Sequence, residues 1–162
     1  MAARSMRFLC DEMLARLTRL LRAAGYDAVL SQGGASDEAM VSQARVEGRI
    51  ILTRDRTLAA LAGPDGLLVS GEGAMGEAQA LTRALPIDWA LAPFTRCVMD
   101  NTAVREATPE EIARMPKSAR ERPGPFRTCP ACGRLYWPGS HTRRITERLA
   151  TLEQLNASGS VA

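Results

Sequence analysis

The sequence predicts an α/β fold: a small parallel sheet of about four strands with helices on its faces, followed by a module of short elements. Three observations predict it. Short apolar runs on consecutive positions, the pattern of strands buried on both faces, alternate with segments of helical periodicity through residue 92. Each run stops at an acidic residue or a glycine-rich turn. After Pro93 the composition changes to prolines, cysteines and basic residues. A chain of 162 residues, 46% hydrophobic and 24% charged, has enough apolar material for one domain plus an appendage, which excludes whole-chain disorder. No apolar run approaches the roughly 18 to 20 residues of a membrane helix.

Arg7-Phe8-Leu9-Cys10 reads as the first strand and stops at Asp11. Met13, Leu14, Leu17, Leu20, Leu21 and Ala24 then recur at helical spacing, and Gly25 closes that helix. Asp27-Ala28-Val29-Leu30 forms a second strand; Ser36 is the expected N-cap of a helix through about Val46, ended by Gly48. Arg49-Ile50-Ile51-Leu52-Thr53 and Gly66-Leu67-Leu68-Val69-Ser70 are the third and fourth strands, and residues 75–85 a further helix stopped by Pro86. The boundary falls at residues 92/93. Residues 93–155 form the cysteine module with a terminal helix near 142–155, and residues 156–162 a flexible tail. Met13, Met40, Met75 and Met99 are expected to fill gaps in the core, as is Cys10.

Charge divides the chain in the same way. Residues 1–92 carry 10 basic and 11 acidic side chains, whereas residues 93–150 carry 11 and 6. A basic module beside a near-neutral one suggests a polyanion partner for the former. Arginine supplies 20 of the 21 cations, and its fork suits phosphate. Four cysteines are too few for a disulfide scaffold, and no apolar segment follows Met1–Met6 to act as a secretory leader. A cytoplasmic location with reduced thiols is therefore expected.

Three aspartates stand at the ends of elements: Asp11 after the first strand, Asp37 at the head of the second helix, Asp55 two residues past the third strand. In a parallel sheet the carboxyl ends of strands and the amino ends of the following helices meet on one edge, where such folds bind ligands. Carboxylate oxygens suit Mg²⁺ or Mn²⁺, and two ions about 3.5 to 4 Å apart would clamp the attacking and leaving oxygens of a phosphodiester. The competing reading is that Asp11 and Asp37 merely cap helices; Asp55 fits it less well, because Arg54 and Arg56 beside it could pair with it, as could a metal. Arg16, Arg19 and Arg22 recur every third residue and could track a phosphate backbone, or form a solvated helix face.

Cys129-Pro130-Ala131-Cys132-Gly133 is a Cys-x-x-Cys knuckle of the kind that turns two thiolates toward one tetrahedral Zn²⁺. Cys97-Val98-Met99-Asp100 has the same spacing with a carboxylate second. Cys97, Asp100, Cys129 and Cys132 would make a mixed site; His141, the single histidine, competes as fourth ligand, and a site that has lost its metal is a further alternative. A thioredoxin-like redox role fits poorly, because that motif belongs near the start of an α/β unit.

Phe8-Leu9-Cys10-Asp11, Leu14-Ala15-Arg16-Leu17, Leu21-Arg22-Ala23-Ala24-Gly25-Tyr26-Asp27, Ser36-Asp37-Glu38 and Ile51-Leu52-Thr53-Arg54-Asp55 resemble the PIN-like nucleases. The tail, Cys129-Pro130-Ala131-Cys132-Gly133 with Tyr136-Trp137-Pro138-Gly139-Ser140-His141, is similar to the zinc ribbon of one branch, the Mut-seven carboxy-terminal RNase domain family. The resemblance covers about residues 6–150. It implies a PIN-like fold, Mg²⁺- or Mn²⁺-dependent cleavage of RNA, and a structural Zn²⁺ in the ribbon. The family's acidic positions map onto Asp11, Asp37 and Asp55, with Glu72 the weak candidate for a fourth. Asp100 departs from the cysteine usual in the family's ribbon.

The resulting expectation is a metal-dependent ribonuclease, with Arg16, Arg19 and Arg54 as nucleic-acid contacts; the alternatives are a non-catalytic RNA-binding module and a protein adaptor using Tyr136 and Trp137. An aromatic content of 4% leaves few stacking platforms, so structured RNA recognised by backbone and shape is the expected substrate.

Overall fold

In the computed structural model, which describes residues 5–159, β1 (Arg7–Cys10) lies at the centre of a parallel sheet. It pairs with β2 (Asp27–Leu30) on one side and β3 (Ile50–Thr53) on the other, and β4 (Gly66–Leu68) flanks β3, giving the order β2-β1-β3-β4. Residues 1–4, part of the stretch read for a leader, and residues 160–162, the end of the expected tail, lie outside the described residues.

Side chains alternate across a strand, and here the alternation builds two cores. Phe8, Cys10 and Leu52 face α1 (Ala15–Ala24) and α4 (Gly73–Ala84), where Leu17, Leu21, Ala78 and Leu81 meet them. Leu9 and Ile51 face the opposite layer, α2 (Asp37–Glu47) and α3 (Arg56–Ala62), through Met40, Val41, Ala44, Leu58 and Ala62. Cys10 is a core residue as expected, and burial pushes its thiol up to about 11. Met40 is buried and Met75 packs against the core; Met13 and Met99 are exposed, contrary to expectation. α3 has no counterpart in the sequence reading. It is seven residues long and carries only two buried side chains, too short for a periodic signal.

Gly25 ends α1 at φ +103°, and a Cβ there would meet the Ala92 carbonyl oxygen at 2.5 Å, so positive φ and close approach both require glycine. At the amino ends of the strands Arg49 donates to the Asp27 carboxylate at 2.8 Å and Arg7 does so at 3.1 Å. Burial alone would raise the Asp27 pKa; hydrogen bonds from Arg49, Asn101 and Arg7 outweigh it and hold the carboxyl well below the usual carboxylate range.

A second, antiparallel sheet orders β5 (Arg105–Glu106), β6 (Arg127–Thr128) and β7 (Leu135–Tyr136). Two short helices, α5 (Pro109–Ala113) and α6 (Lys117–Arg120), occupy the connection between β5 and β6, α5 beginning at a Thr108/Glu111 capping box. α7 (Ser140–Gly159) returns to the first layer and buries Leu149 and Leu152 in the cluster that holds Leu14, Trp89 and Val98. Its far end is anchored by Glu153, which accepts the Trp89 backbone N–H at 2.9 Å, and by Asn156, which donates to the Ile87 carbonyl. The helix thus continues through Gly159, so residues 156–159 of the expected tail are helical. No helix among the described residues is long and apolar enough to cross a membrane.

Candidate active edge and metal centre

Asp11 follows β1 directly and caps a short 3-10 turn over Glu12–Leu14, accepting the Glu12 N–H at 2.8 Å. Its other carboxylate oxygen accepts the buried Thr53 hydroxyl at 2.7 Å, and the same hydroxyl oxygen accepts the Asp55 N–H at 2.9 Å. The last residue of β3 therefore ties the two aspartates together across adjoining strand ends. Asp55 is exposed and caps α3: one oxygen takes the Thr57 N–H at 2.7 Å and the Leu58 N–H at 3.4 Å, leaving the other without a described protein donor. Capping and ligation are compatible here, because each carboxylate oxygen has two lone pairs.

Asp37 is the first residue of α2, the cap itself being Ser36, whose hydroxyl accepts the Ala39 N–H at 3.1 Å. It is half-buried, and no described side-chain hydrogen bond joins it to Asp11 or Asp55. The loop leading to it lies against the first acidic turn, since a Cβ on Gly33 would meet the Glu12 carboxylate at 2.8 Å. Glu12 is an acid at this edge that the sequence reading passed over; its position beside Asp11 was the available signal. Glu72 is exposed at the head of α4 and makes no capping bond.

Glu77 is the second missed acid. It is buried on α4 and pairs with Arg54 at 3.1 Å, while Arg54 also donates to the Gly71 carbonyl at 2.8 Å. Arg54, expected at the nucleic acid, thus pins the β4–α4 turn to β3. Arg16 and Arg19 are exposed on α1. Arg22, the third of that row, is buried and donates to the carbonyls of Ala28, Val98 and Met99, so it cannot follow a phosphate backbone.

The cysteine module converges as its spacing predicts. Ligand atoms of Cys97, Asp100, Cys129 and Cys132 all lie within 4.8 Å of one another, and this is the one such group of three or more His, Cys, Asp or Glu side chains among the described residues. Cys97 and Cys132 sulfurs are 3.7 Å apart, and the Cys129 sulfur is 3.3 and 3.5 Å from the Asp100 oxygens. Four donors about 2.0 to 2.3 Å from a tetrahedral Zn²⁺ would stand roughly 3.5 to 3.8 Å apart, so the set fits a metal such as zinc. His141 is exposed on the first turn of α7 and is not part of the group.

Burial would raise the Cys97 thiol, but hydrogen bonds from the Tyr136 hydroxyl and the backbone of Met99 and Asp100 outweigh it and lower the pKa. At Cys132 a backbone bond from Arg134 lowers the pKa, yet burial and the neighbouring Cys129 and Cys97 sulfurs raise it to about 11. Thiols packed this closely resist joint ionisation, which a bound cation reverses. The loop carrying Cys97 and Asp100 is fastened to the sheet by Arg22 and by Asn101, which accepts the Ala28 N–H at 3.0 Å and donates to Asp27 at 2.7 Å.

The Mut7-C RNAse domain family matches residues 6–149 of the chain. No curated protein and no solved structure matches it. The match carries with it a nuclease-like or RNA-related function, and the acidic edge and the Cys-Asp centre both lie within it. With nearly the whole chain spanned, the protein belongs to the Mut7-C RNAse domain family.

Proposed function

We propose that the protein is a metal-dependent ribonuclease hydrolysing RNA phosphodiesters at the edge formed by Asp11, Asp37 and Asp55. The observation that carries this reading is the Asp11–Thr53–Asp55 bridge at the carboxyl ends of β1 and β3, the edge where parallel sheets act on ligands, in a chain of an RNase family. Mg²⁺ or Mn²⁺ held there would activate water and neutralise charge on the scissile phosphate. Asp55 offers a carboxylate oxygen with no described donor, Asp11 is oriented by Thr53, and Asp37 and Glu72 supply charge from the neighbouring turns. Arg16 and Arg19 lie on the helix that starts at this edge, placed to meet backbone phosphates. Residues 6–92 carry the edge; residues 93–155 carry the basic ribbon, with Zn²⁺ structural at Cys97, Asp100, Cys129 and Cys132. The site of action is the cytoplasm.

The alternative is a non-catalytic RNA-binding module using the ribbon, favoured by the looser convergence of the edge carboxylates compared with the Cys-Asp centre. Cleavage of end-labelled RNA by metal-stripped protein, with Mg²⁺ or Mn²⁺ restored, separates the two. Asp55→Asn is expected to slow cutting by about a hundredfold or more, the scale of losing a preorganised electrostatic contact to the transition state, while asparagine keeps the helix cap. Equal rates in parent and variant would discard the assigned site. Binding that falls steeply with salt and ignores Mg²⁺, without any cutting, would select the binding module.

A further inference from the structure

The seven aromatic side chains are divided sharply between the two parts of the chain. Phe8, Tyr26 and Trp89 are buried in the sheet layers; Phe94, Phe126, Tyr136 and Trp137 are partly exposed, and all four lie in the +5 segment, residues 93–150. Three of them share a cavity of about 230 Å³, in which Phe94, Tyr136 and Trp137 are joined by Pro125, Pro138 and Arg127. The metal centre does not consume this surface: only the Tyr136 hydroxyl turns toward it, donating to Cys97 and accepting the Val98 N–H.

The slot is held open by its backbone. Phe94 sits at φ +57°, an uncommon conformation for a bulky side chain that persists only where its surroundings enforce it. Its N–H is bound to the Ala23 carbonyl at 2.8 Å and its carbonyl accepts the Arg127 guanidinium at 2.9 Å. Arg127 is thereby fixed beside the rings with four further N–H donors to offer. A second cavity, about 270 Å³, shares Tyr136, Trp137 and Thr142 with the first and is lined further by Arg134, Ser140 and His141, the histidine the metal centre leaves unused. α7 carries Arg143, Arg144 and Arg148 along the following turns.

We propose that this slot takes one unpaired nucleobase of an RNA strand, with the adjoining phosphate held at Arg134 and His141. The inference rests on the RNA reading above and refines it to an RNA whose duplex ends in, or is interrupted by, an unpaired nucleotide. An aromatic platform flanked by guanidinium groups is what a base and its phosphate require. The slot is smaller than the roughly 300 to 1,000 Å³ of a typical small-molecule site, and its walls are flat rings and prolines. Low aromatic content argued against stacking only while the aromatics were taken as dispersed; four of the seven are gathered where the positive charge is.

The test compares a blunt, fully paired RNA duplex of two annealed strands with the same duplex bearing a short uridine tail, in binding measurements with no Mg²⁺ or Mn²⁺ added. The parent is expected to bind the tailed probe about tenfold more tightly. Trp137→Leu, which keeps bulk without a stacking face, is expected to erase that preference, and Trp137→Phe to retain most of it, with circular dichroism and bound-metal content unchanged. Photocrosslinking of a 4-thiouridine tail to the parent is expected to label Trp137 or Phe94, and this decides the matter if the leucine variant does not fold. Equal affinity of the parent for both probes, a preference that survives Trp137→Leu, or crosslinks confined to other segments would overturn the slot while leaving cleavage at the acidic edge standing. A proline-rich peptide that fills the slot without competing against the tail would overturn it in favour of a protein partner. A parent that binds neither duplex would remove the RNA reading with it.

Discussion

At the carboxyl ends of the strands, acidic side chains arrive from separate βα turns, each held by backbone N–H groups, and only Asp11 and Asp55 are linked, through Thr53. Near the amino end of β2 the opposite arrangement holds: two four-residue turns, Cys97–Asp100 and Cys129–Cys132, bring four donors together before any ion is considered. The strands between are four residues long, roughly 13 Å, so each set acts without touching the other. The difference follows from the ions each donor set suits. A tetrahedral structural metal is enclosed by protein ligands, so those ligands must converge on their own. Mg²⁺ keeps waters and shares one or two carboxylates with substrate phosphate, so on the proposed reading an open acidic edge has no reason to close before substrate arrives.

That contrast can be broken at the ribbon first. Cys129→Ser removes a ligand from the closed set, and loss of the structural metal is expected to lower stability by several kcal/mol, on the order seen where metal binding is coupled to folding. Elemental analysis should fall below one zinc per chain and the thermal midpoint should drop; an unchanged midpoint with no metal bound would make the centre ornamental. The joint between the two regions comes next. Leu152 of α7 is fully buried against the sheet's helices, and Leu152→Ala should cost about 2 to 5 kcal/mol in a urea melt. A loss below about 0.5 kcal/mol, the range of surface substitutions, would mean that α7 does not hold the ribbon to the sheet.

A smaller effect is expected at Asp27, which links the sheet to the metal-bearing loop through Asn101. Its folded pKa lies below the unfolded value, so its contribution is fully present above about pH 4 and is lost as pH falls through the folded value. Asp27→Asn should remove about 2 kcal/mol at neutral pH, the scale of a hydrogen bond to a charged group, and should flatten the acid limb of the stability profile. An acid limb identical to the parent's would assign it to other carboxylates.

Much of this architecture was legible because its signals are local. β1 and β3 are apolar on consecutive positions, as strands buried on both faces must be, and the Cys-x-x-Cys spacing with its Cys-x-x-Asp counterpart named all four members of the metal group. What escaped depends on direction in space. Arg16, Arg19 and Arg22 look like one row, but three residues turn a helix through about 300°, so each step slips by 60° and Arg22 swings into the buried stripe. Glu77 follows a glycine-rich turn whose path no periodicity reports, and only the fold brings it to Arg54. His141 carries the right chemistry for zinc but is exposed on the first turn of α7, outside the group. α3 was hidden because seven residues with two buried side chains carry no periodic signal, even though Asp55 caps its first turn.

The most direct test sets the two regions against each other in one assay: the rate of RNA cleavage per folded molecule for Asp55→Asn and Cys129→Ser beside the parent, with Mg²⁺ or Mn²⁺ supplied. The account predicts that cutting disappears in Asp55→Asn, whose fold is intact, and persists in the folded fraction of Cys129→Ser. Cutting that survives Asp55→Asn and vanishes with Cys129 would contradict it and move the chemistry from the acidic edge to the ribbon.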